Sequence, residues 1–216
     1  MIVRRGRRCP WVVAVTGASG TPYAARLLRA LLDAGEDVDL MISKAARLTI
    51  LDETGVRVRD GRWRQDVADW VGRDVDPVVY WSPTDFAAGP SSGSYRTRGM
   101  VVAPATTAAI SGIAVGASKD LIQRAADVTL KERRPLVLLV RETPLRAVTL
   151  EQMATLAREG ATIMPASPAF YAGAKSIDDL VDFVVGRLLD QLDVEHELFE
   201  RWNGSPPGVT EEAEAD

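Results

Sequence analysis

The stretch that decides the fold is Trp11-Val12-Val13-Ala14-Val15-Thr16-Gly17-Ala18-Ser19-Gly20. Its first six residues are apolar or β-branched, a pattern typical of a short strand that is buried on both faces. Its last four residues are small and lead into residues 20–34, where leucine and alanine recur at helical spacing until Gly35. The stretch therefore predicts a strand, a glycine-rich turn and an amphipathic helix.

The alternation of strand and helix continues along the whole chain. Strands that are nearly continuously apolar, each followed by a helix, predict an α/β domain in three layers, with a doubly wound parallel sheet covered by helices on both faces. Thr149 and Gln152 predict a capping box for the sixth helix. The further predicted strands are residues 38–42, 75–80, 100–103, 135–140 and 161–164, and the further predicted helices are 44–53, 64–71, 106–115, 119–132, 149–159 and 176–189.

The composition excludes several classes of function. A chain of 216 residues, 46% of them hydrophobic, buries roughly 70% of its unfolded surface and needs no metal or disulfide to fold. Cys9 is the single cysteine and His196 the single histidine, which excludes an internal disulfide framework and leaves too few ligands for a zinc site. Four acidic residues lie at 211–216, and the other 26 acidic residues equal the 26 basic ones in number, so no overall charge favours nucleic acid.

The two ends of the chain differ from its centre. Residues 1–10 are arginine-rich and predict a basic, mobile arm, residues 11–203 form the predicted α/β domain, and residues 204–216 predict a disordered acidic tail. No apolar run approaches the ~20 residues that a membrane span needs. The apolar run after the arginines is also too short for a signal peptide, so we expect a cytoplasmic protein with no membrane association.

Topology alone indicates where a ligand binds. In doubly wound sheets, ligands bind beyond the carboxyl ends of the strands. The small residues 17–20 let backbone N–H groups approach an anion at the start of a helix. We also expect the hydroxyls of residues 92–94 to lie at the same sheet edge as Thr106 and Thr107. The loops to consider begin at Gly17, Ser43, Pro104, Arg141 and Pro165.

The glycine turn does not fit a nicotinamide dinucleotide. Ser19 and Pro22 stand where the second and third glycines of the dinucleotide fingerprint belong. The second strand ends at Ser43-Lys44, with no acid to bind an adenosine ribose. A phosphate or a flavin is therefore favoured over NAD.

Arg141 is the most informative basic residue of the second half. It follows a buried strand directly, and a guanidinium in that position is suited to binding phosphate or carboxylate. Glu142 beside it is a carboxylate in cationic surroundings, suited to proton transfer or to stabilising a cation.

Together these segments resemble the UbiX/Pad family of flavin prenyltransferases, whose members were formerly described as aromatic-acid decarboxylases. The block at residues 124–136 carries most of the resemblance, and the turn at 16–20 is shared with other flavoproteins. Asp120 departs from the asparagine that relatives often have. The matching stretches are residues 16–20, 43–46, 92–94, 124–136, 141–145 and 168–171.

The resemblance implies a flavodoxin-like, Rossmann-like sheet and a set of site residues. It implies FMN-binding residues at Gly17, Ala18, Ser19, Ser43, Thr106, Thr107, Ala108, Ala109 and Arg124. It implies that the substrate phosphate is bound by Lys131, Arg141, Tyr171 and Arg187. The catalytic residues that it implies are Ser19, Glu53, Lys131, Arg141 and Glu142.

The activity that the resemblance implies is a metal-independent prenyl transfer. The dimethylallyl group of dimethylallyl monophosphate is transferred to N5 and C6 of reduced FMN, and the prenylated FMN serves a UbiD-type decarboxylase. Basic side chains stabilise the leaving phosphate, whereas Ser19 and Glu142 steer the allyl cation and help to move the C6 proton. Related chains form homododecamers with sites shared between subunits, and Trp202 of a neighbouring subunit is expected to line the site.

Two alternatives remain at this point. The same scaffold carries FMN-dependent decarboxylases of peptidyl or pantothenoyl cysteine, which use a histidine near the first helices, where this chain has none. A non-catalytic flavin carrier subunit of an aromatic-acid decarboxylase is the other. The sequence leaves open the pathway served and the choice between dimethylallyl monophosphate and diphosphate.

Overall fold

The sheet predicted from the sequence is present and is entirely parallel. A computed structural model describes residues 8–170, 173–202 and 204, and within them six strands form one sheet in the order β3-β2-β1-β4-β5-β6. Every neighbouring pair runs parallel, so the doubly wound parallel sheet is confirmed. The strands are β1 (Trp11–Val15), β2 (Val38–Ile42), β3 (Val78–Tyr80), β4 (Gly99–Ala105), β5 (Leu136–Val140) and β6 (Thr162–Pro165).

Helices cover both faces of the sheet, which makes three layers. One face packs against α1 (Thr21–Asp33), α2 (Lys44–Thr54), α3 (Trp63–Val71) and α7 (Ile177–Gln191). The other face packs against α4 (Thr107–Ala114), α5 (Leu121–Lys131) and α6 (Ala147–Arg158). Along β1, Val13 and Val15 belong to the first hydrophobic cluster, and Val12 and Ala14 belong to the second. Burial on both faces is the reason that the strands are mostly apolar; the buried Asp39 of β2, which accepts from the Tyr95 hydroxyl at 2.9 Å, is an exception.

The order of the strands creates a crevice between β1 and β4. The chain winds from β1 toward β2 and β3 in one direction, and then returns to β4 on the other side of β1. The loops that leave the carboxyl ends of β1 and β4 therefore diverge toward opposite faces of the sheet. This divergence is the switch point at which doubly wound sheets bind ligands.

Most element boundaries differ from the prediction by one to three residues, the largest difference being the start of β3 at Val78 instead of residue 75, and two of the differences have a visible cause. Strand β4 continues through Pro104 to Ala105 instead of ending at Pro104, because the Pro104 carbonyl accepts a hydrogen bond from the Thr16 backbone N–H at 3.3 Å. The prediction of a capping box formed by Thr149 and Gln152 was wrong. Helix α6 begins at Ala147, so Thr149 lies buried inside its first turn, and the Gln152 side chain instead accepts a hydrogen bond from the Ser111 hydroxyl at 2.7 Å.

The loop at residues 92–94 lies at the amino edge of the sheet, not at the edge that holds Thr106 and Thr107. Arg134, which directly precedes β5, donates to the Gly93 carbonyl at 2.7 Å. The Arg98 backbone N–H, one residue before β4, donates to the Pro10 carbonyl at 2.9 Å. The prediction was wrong because a segment that precedes a parallel strand lies at the amino end of that strand.

The described residues include no helix that is both long and apolar enough to cross a bilayer. The same part of the chain contains no group of three or more histidine, cysteine or acidic side chains arranged to hold a metal ion. Residues 1–7 of the predicted arm, and the predicted tail apart from Gly204, lie outside the described residues.

Candidate active site at the carboxyl edge of the sheet

A cavity of about 530 Å³ opens at the switch point between β1 and β4. Its volume lies in the range of about 300–1,000 Å³ that is usual for small-molecule sites. The cavity is bounded by the loops that follow β1, β2, β4 and β5 and by the first turn of α5. Its lining residues are Thr16, Gly17, Ala18, Ser43, Lys44, Ala45, Thr106, Thr107, Ala108, Ala109, Lys119, Asp120, Ile122, Gln123, Arg141 and Glu142.

Helix N-termini surround this cavity. Ser43 caps α2 by accepting from the Ala46 N–H at 3.0 Å, and Thr106 caps α4 by accepting from the Ala109 N–H at 3.1 Å. Asp120 caps α5 in the same way at 2.9 Å. The partial positive charge of a helix N-terminus and its first-turn N–H groups favour bound anions. The cavity is therefore suited to a phosphate group.

The glycine turn must be glycine at its first position for a steric reason. A Cβ on Gly17 would lie 2.5 Å from the Ala45 Cβ and 3.0 Å from the Ala45 carbonyl carbon. Gly20, the N-cap of α1, has φ +107°, a conformation that residues with a Cβ rarely adopt. The turn therefore packs directly on the start of α2, which brings the first and second loops together at the cavity.

Glu53 caps α1 from the far end of α2. Its carboxylate accepts hydrogen bonds from the backbone N–H groups of Gly20 and Thr21, both at 2.8 Å, and from the Thr21 hydroxyl at 2.5 Å. Burial acts to raise the pKa of Glu53, but hydrogen bonds from Thr21, Ser19 and the Gly20 N–H together hold it below its ordinary value. Glu53 therefore remains an ionised acceptor that holds the glycine turn in place.

We expect Glu53→Gln to lower the free energy of unfolding at pH 7 by about 1 kcal/mol, the usual value of an N-cap. An amide has one acceptor oxygen and cannot accept all the bonds that the carboxylate accepts. Because the folded pKa is depressed, this stabilisation is complete above the ordinary pKa of 4.5 and is lost as the pH falls through the folded value. Urea unfolding at several pH values measures it.

Asp52→Asn is the matched control for this prediction, because Asp52 is the neighbouring exposed acid on α2 and has no hydrogen bond or ion pair with α1. It should leave the free energy of unfolding within about 0.5 kcal/mol of wild type. Equal losses in the two variants, or a Glu53→Gln deficit that persists at low pH, would contradict the capping role.

Thr16 joins the two central loops. Its hydroxyl donates to the Pro104 carbonyl at 2.7 Å and accepts from the Thr106 N–H at 2.9 Å, and the side chain is buried. One hydroxyl therefore bonds the backbone on both sides of Ala105, the last residue of β4. These two hydrogen bonds hold the loops that follow β1 and β4 at a fixed separation. Sequence reasoning placed Thr16 in the strand and did not identify this role.

Arg141 reaches across the crevice to the glycine turn. Its Nε donates to the Ser19 carbonyl at 2.9 Å, and its two terminal nitrogens have no protein partner among the described residues. Burial raises the pKa of the nearby Tyr23 phenol, and the charge of Arg141 acts against that rise. Glu142 also lines the cavity, and its Oε1 accepts from the Thr143 N–H at 3.0 Å. A cation and an anion therefore stand side by side at the cavity wall.

The structure brings together most of the residues predicted to bind FMN. Ser19 contacts the site through the carbonyl that Arg141 bonds, whereas Arg124 lies outside the lining and donates to the Ser91 carbonyl at 3.1 Å and to Asp127 at 2.8 Å. The predicted residues that line the cavity are Gly17, Ala18, Ser43, Thr106, Thr107, Ala108, Ala109, Arg141 and Glu142.

The described residues that were predicted to bind the substrate phosphate do not line one cavity of a single chain. Lys131 pairs with Glu132 beside Gly93, at the end of α5 that lies about 15 Å from the cavity by helical rise. Arg187 donates to Asp190 on α7 at 2.7 Å. Tyr171 lies outside the described residues. Of this set, Arg141 alone among the described residues lines the cavity.

Lys131 and Arg124 instead form part of a second surface. The two residues are seven positions apart on α5 and so share one helical face. Arg124 contacts Ser91, and Lys131 lies beside Gly93, so the segment at residues 91–94 runs along the same face. We call these residues, Ser91, Gly93, Arg124 and Lys131, the α5 patch.

Sequence reasoning missed the residues that α5 and the preceding loop supply to the cavity. Ile122 provides an apolar wall, and the Gln123 side chain accepts from the Lys119 N–H at 3.0 Å. Asp120 as an N-cap was the available signal, because it places the first turn of α5 at the carboxyl edge. Lys44 and Lys119 add positive charge at the cavity.

The donor set of the cavity fits FMN. Backbone N–H groups at helix starts and the cations Lys44, Lys119 and Arg141 suit a phosphate, and Ala108, Ala109 and Ile122 offer apolar contact to a ring system. Carboxylates at Asp120 and Glu142 can accept hydrogen bonds from hydroxyl or ring N–H groups. No zinc- or calcium-type ligand set competes with this interpretation among the described side chains.

Comparison with known families and proteins agrees with this site. Residues 4–189 match the Flavoprotein family. The flavin prenyltransferase UbiX of Streptomyces coelicolor is 59% identical over 211 residues, covering 93% of this chain and 98% of the relative. UbiX of Pseudomonas aeruginosa is 42% identical over 192 residues, covering 88% and 92%.

Solved structures give the same result. The crystal structure of AnUbiX in complex with FMN and dimethylallyl pyrophosphate has a TM-score of 0.82 at 42% identity, covering 92% of this chain and all of that one. A dodecameric FMN-dependent UbiX-like decarboxylase from Escherichia coli has a TM-score of 0.81 at 41% identity, covering 90% and 100%. The peptidyl-cysteine decarboxylase EpiD, at 12% identity and a TM-score of 0.56 over 85% and 97% of the two chains, shares the fold alone.

Proposed function

The chain belongs to the UbiX flavin prenyltransferase family, and from this premise we propose that it transfers the dimethylallyl group of dimethylallyl monophosphate to N5 and C6 of reduced FMN. The observation that carries the proposal is the position of Arg141. Its guanidinium is fixed to the glycine turn through Nε and presents two terminal nitrogens to a cavity that fits FMN. Arg141 is therefore bonded to the turn that is proposed to bind the flavin and at the same time presents a positive charge that can bind the donor's phosphate.

Arg141 is suited to stabilise the leaving phosphate. Cleavage of an allylic C–O bond leaves an allyl cation and inorganic phosphate, and charge accumulates on the phosphate oxygens as the bond breaks. A guanidinium that is already oriented by Ser19 binds those oxygens without reorganising. Its planar fork matches two phosphate oxygens at once.

Glu142 is suited to act on the other partner of the cleavage. Its carboxylate lies at the cavity wall beside Arg141, where it can stabilise the allyl cation by charge and accept the proton lost from C6. Reduced FMN supplies the nucleophilic atoms. Ile122, Ala108 and Ala109 present apolar surface that limits water in the cavity and so protects the cation from hydrolysis.

Anaerobic incubation with reduced FMN and dimethylallyl phosphate tests the proposal. Mass spectrometry of the released flavin should show FMN that is heavier by one prenyl unit, together with one inorganic phosphate per flavin. Parallel reactions with the mono- and the diphosphate identify the preferred donor. Unmodified FMN after incubation, with FMN shown to be bound, would contradict the proposal.

The α5 patch of a second subunit is proposed to complete the phosphate site. Lys131 and Arg124 lie on a different surface from the cavity of their own chain, although the resemblance assigns both to ligand binding. A homo-oligomer, proposed to be a dodecamer like the Escherichia coli relative, reconciles the two facts by placing one subunit's α5 patch against the next subunit's cavity.

Mixed oligomers test this sharing. We expect Arg141→Ala and Lys131→Ala homomers each to retain under about 1% of the wild-type rate, because each lacks one phosphate-binding cation. Coexpression of the two, with differently tagged copies and purification on both tags, should restore about a quarter of wild-type activity, since random assembly pairs an intact cavity with an intact patch at that frequency.

The matched control for the coexpression experiment combines two substitutions that both lie in the cavity. Arg141→Ala coexpressed with Glu142→Gln leaves no subunit with an intact cavity and should restore nothing. Equal recovery in the two mixtures, or none in either, would contradict a shared site.

A cysteine decarboxylase on this scaffold is not favoured. The only histidine, His196, follows α7 and does not line the cavity. A non-catalytic flavin carrier would have no need to bind a second phosphate besides that of FMN, as Arg141 is proposed to do. We propose that the prenylated FMN is passed to a UbiD-type decarboxylase, which mixing purified protein with an apo-decarboxylase would test by the appearance of decarboxylase activity.

A further inference from the structure

The chain turns back onto α7 after that helix ends. The Val194 N–H donates to the Leu189 carbonyl at 3.1 Å, and Asp193 has φ +53° at the turn. The Phe199 ring packs on Phe183 with centroids 4.9 Å apart. We call residues 193–202 the return segment. It lies against the same stretch of α7 that carries Arg187.

Gly186 provides the space for the return segment. A Cβ at this position would lie 2.5 Å from a Phe199 ring carbon and 2.7 Å from the His196 Cε1. The helix backbone and the return segment therefore approach as closely as a glycine allows. Arg187 is the next residue along the helix, so its backbone is fixed by this contact.

Asp190 connects α7, Arg187 and the return segment. Its Oδ2 accepts from Arg187 at 2.7 Å, and its Oδ1 accepts from Arg201 at 2.7 Å and from the His196 Nε2 at 3.1 Å. The Asp190 side chain is 16% exposed, whereas that of Arg187 is 48% exposed. Asp190, Arg187, His196 and Arg201 form what we call the Asp190 cluster.

The hydrogen bond to Nδ1 favours one tautomer of the neutral His196 ring. The Leu198 backbone N–H donates to Nδ1 at 3.2 Å, so Nδ1 is an acceptor and we assign the proton of the neutral ring to Nε2, although Arg201 Nη2 also lies 3.3 Å from that atom. Nε2–H then donates to Asp190. His196 is 3% exposed and therefore holds the carboxylate from the buried side. The Asp190 carboxylate is therefore held by His196 and Arg201 independently of its bond to Arg187.

We propose that Asp190 is a positioning residue that orients Arg187 for the phosphate of the dimethylallyl donor. The inference rests on the proposed function and on the phosphate-binding role that the resemblance implies for Arg187. Because Arg187 does not line the cavity of its own chain, it is taken to serve the cavity of another subunit, as is proposed for Lys131. A long, half-exposed arginine has many rotamers, and a fixed carboxylate three residues away on the helix selects one. The pair holds the guanidinium before substrate arrives, and Asp190 acts only through Arg187.

Two roles of Asp190 predict opposite results. If Asp190 were only a counter-charge, its removal would strengthen phosphate binding by Coulomb attraction and lower KM. Positioning predicts that Asp190→Asn raises KM for dimethylallyl phosphate about fivefold while kcat stays within about twofold, because the guanidinium loses its orientation before binding and not its charge. Asp190→Glu, which keeps the carboxylate, should raise KM less than Asp190→Asn does.

The decisive experiment is a double-mutant cycle with steady-state kinetics of prenyl transfer. Asp190→Asn should raise KM in the wild-type background and leave it within about twofold in the Arg187→Ala background, because an effect transmitted through Arg187 vanishes with it. Asp182→Asn is the control, because Asp182 lies on the same helix, pairs with Arg26 at 2.5 Å and has no hydrogen bond or ion pair with Arg187.

Each outcome of the cycle decides the inference. A KM rise that appears with Asp190→Asn, disappears in the Arg187→Ala background and is absent from Asp182→Asn supports it. A KM that is unchanged or lower, or a rise that persists without Arg187, overturns it and leaves the proposed function intact. Absence of any prenylated flavin with the wild-type protein would overturn the proposed function and this inference together.

Discussion

Arg141→Ala is expected to lower kcat/KM for dimethylallyl phosphate about 1,000-fold, equivalent to about 4 kcal/mol of transition-state stabilisation. The loss is large because Arg141 lines the cavity and its terminal nitrogens are available to the leaving phosphate. The dissociation constant of FMN should rise less than tenfold, since Ser43, Thr106 and the helix N-termini remain. Single-turnover formation of prenylated FMN under anaerobic conditions measures the first effect, and flavin fluorescence titration measures the second.

Arg146→Ala is the matched control for Arg141→Ala. Arg146 is an exposed arginine five residues further along the same loop and does not line the cavity. It should keep kcat/KM within about twofold of wild type. Arg141→Lys keeps the charge but loses the forked geometry and should retain only part of the rate. Similar losses for Arg141→Ala and Arg146→Ala would show that general surface charge, and not a positioned guanidinium, supports the reaction.

Gly17→Ala is expected to weaken FMN binding at least thirtyfold and to lower Tm by about 5–10 °C. The added Cβ would overlap the Ala45 Cβ at 2.5 Å, so the turn and the start of α2 must move apart. Overpacking of this kind costs about 1–3 kcal/mol, and 1 kcal/mol corresponds to about 2–4 °C in a chain of this size. Because both elements line the cavity, their separation also displaces the N–H groups that bind the phosphate of FMN.

Two further variants identify the cause of the Gly17→Ala effect. Gly61→Ala adds the same methyl group where nothing lies within 4 Å, and it should leave both Tm and FMN affinity near wild type. Ala45→Gly in the Gly17→Ala background removes the overlapping methyl and should recover part of both losses. If Ala45→Gly gives no recovery, the steric explanation is wrong.

The sequence predicts the fold well because the signals for it are local. Each strand of the sheet is a short apolar run, and burial on both faces is the physical reason for that pattern. The start of α6 could not be predicted from Thr149 and Gln152, because those side chains satisfy tertiary demands: Thr149 is buried and Gln152 bonds Ser111 on α4. A helix cap can be predicted from local sequence only where its side-chain atoms are not used by residues distant in the sequence.

The candidate site was partly predictable for the same reason. The turn at Gly17 and the strand end at Arg141 are visible in the sequence, and topology places both at one edge of the sheet. Glu53 accepts hydrogen bonds at the start of α1, and the Thr16 hydroxyl makes two hydrogen bonds at the end of β4. Both roles depend on residues more than 30 positions away in the sequence. The separation of Lys131 from the cavity depends on the direction of α5 in the folded chain, which residue types alone do not give.

The bonds of Thr16 and Arg141 also bear on biosynthesis. Thr16 bonds a carbonyl 88 positions later in the chain, and Arg141 bonds one 122 positions earlier. A nascent polypeptide therefore exposes its glycine turn long before the partners that shape the crevice leave the ribosome. The crevice is complete only after β5 and Arg141 have been made, so late-formed, long-range contacts decide when the newly made protein first has its whole site.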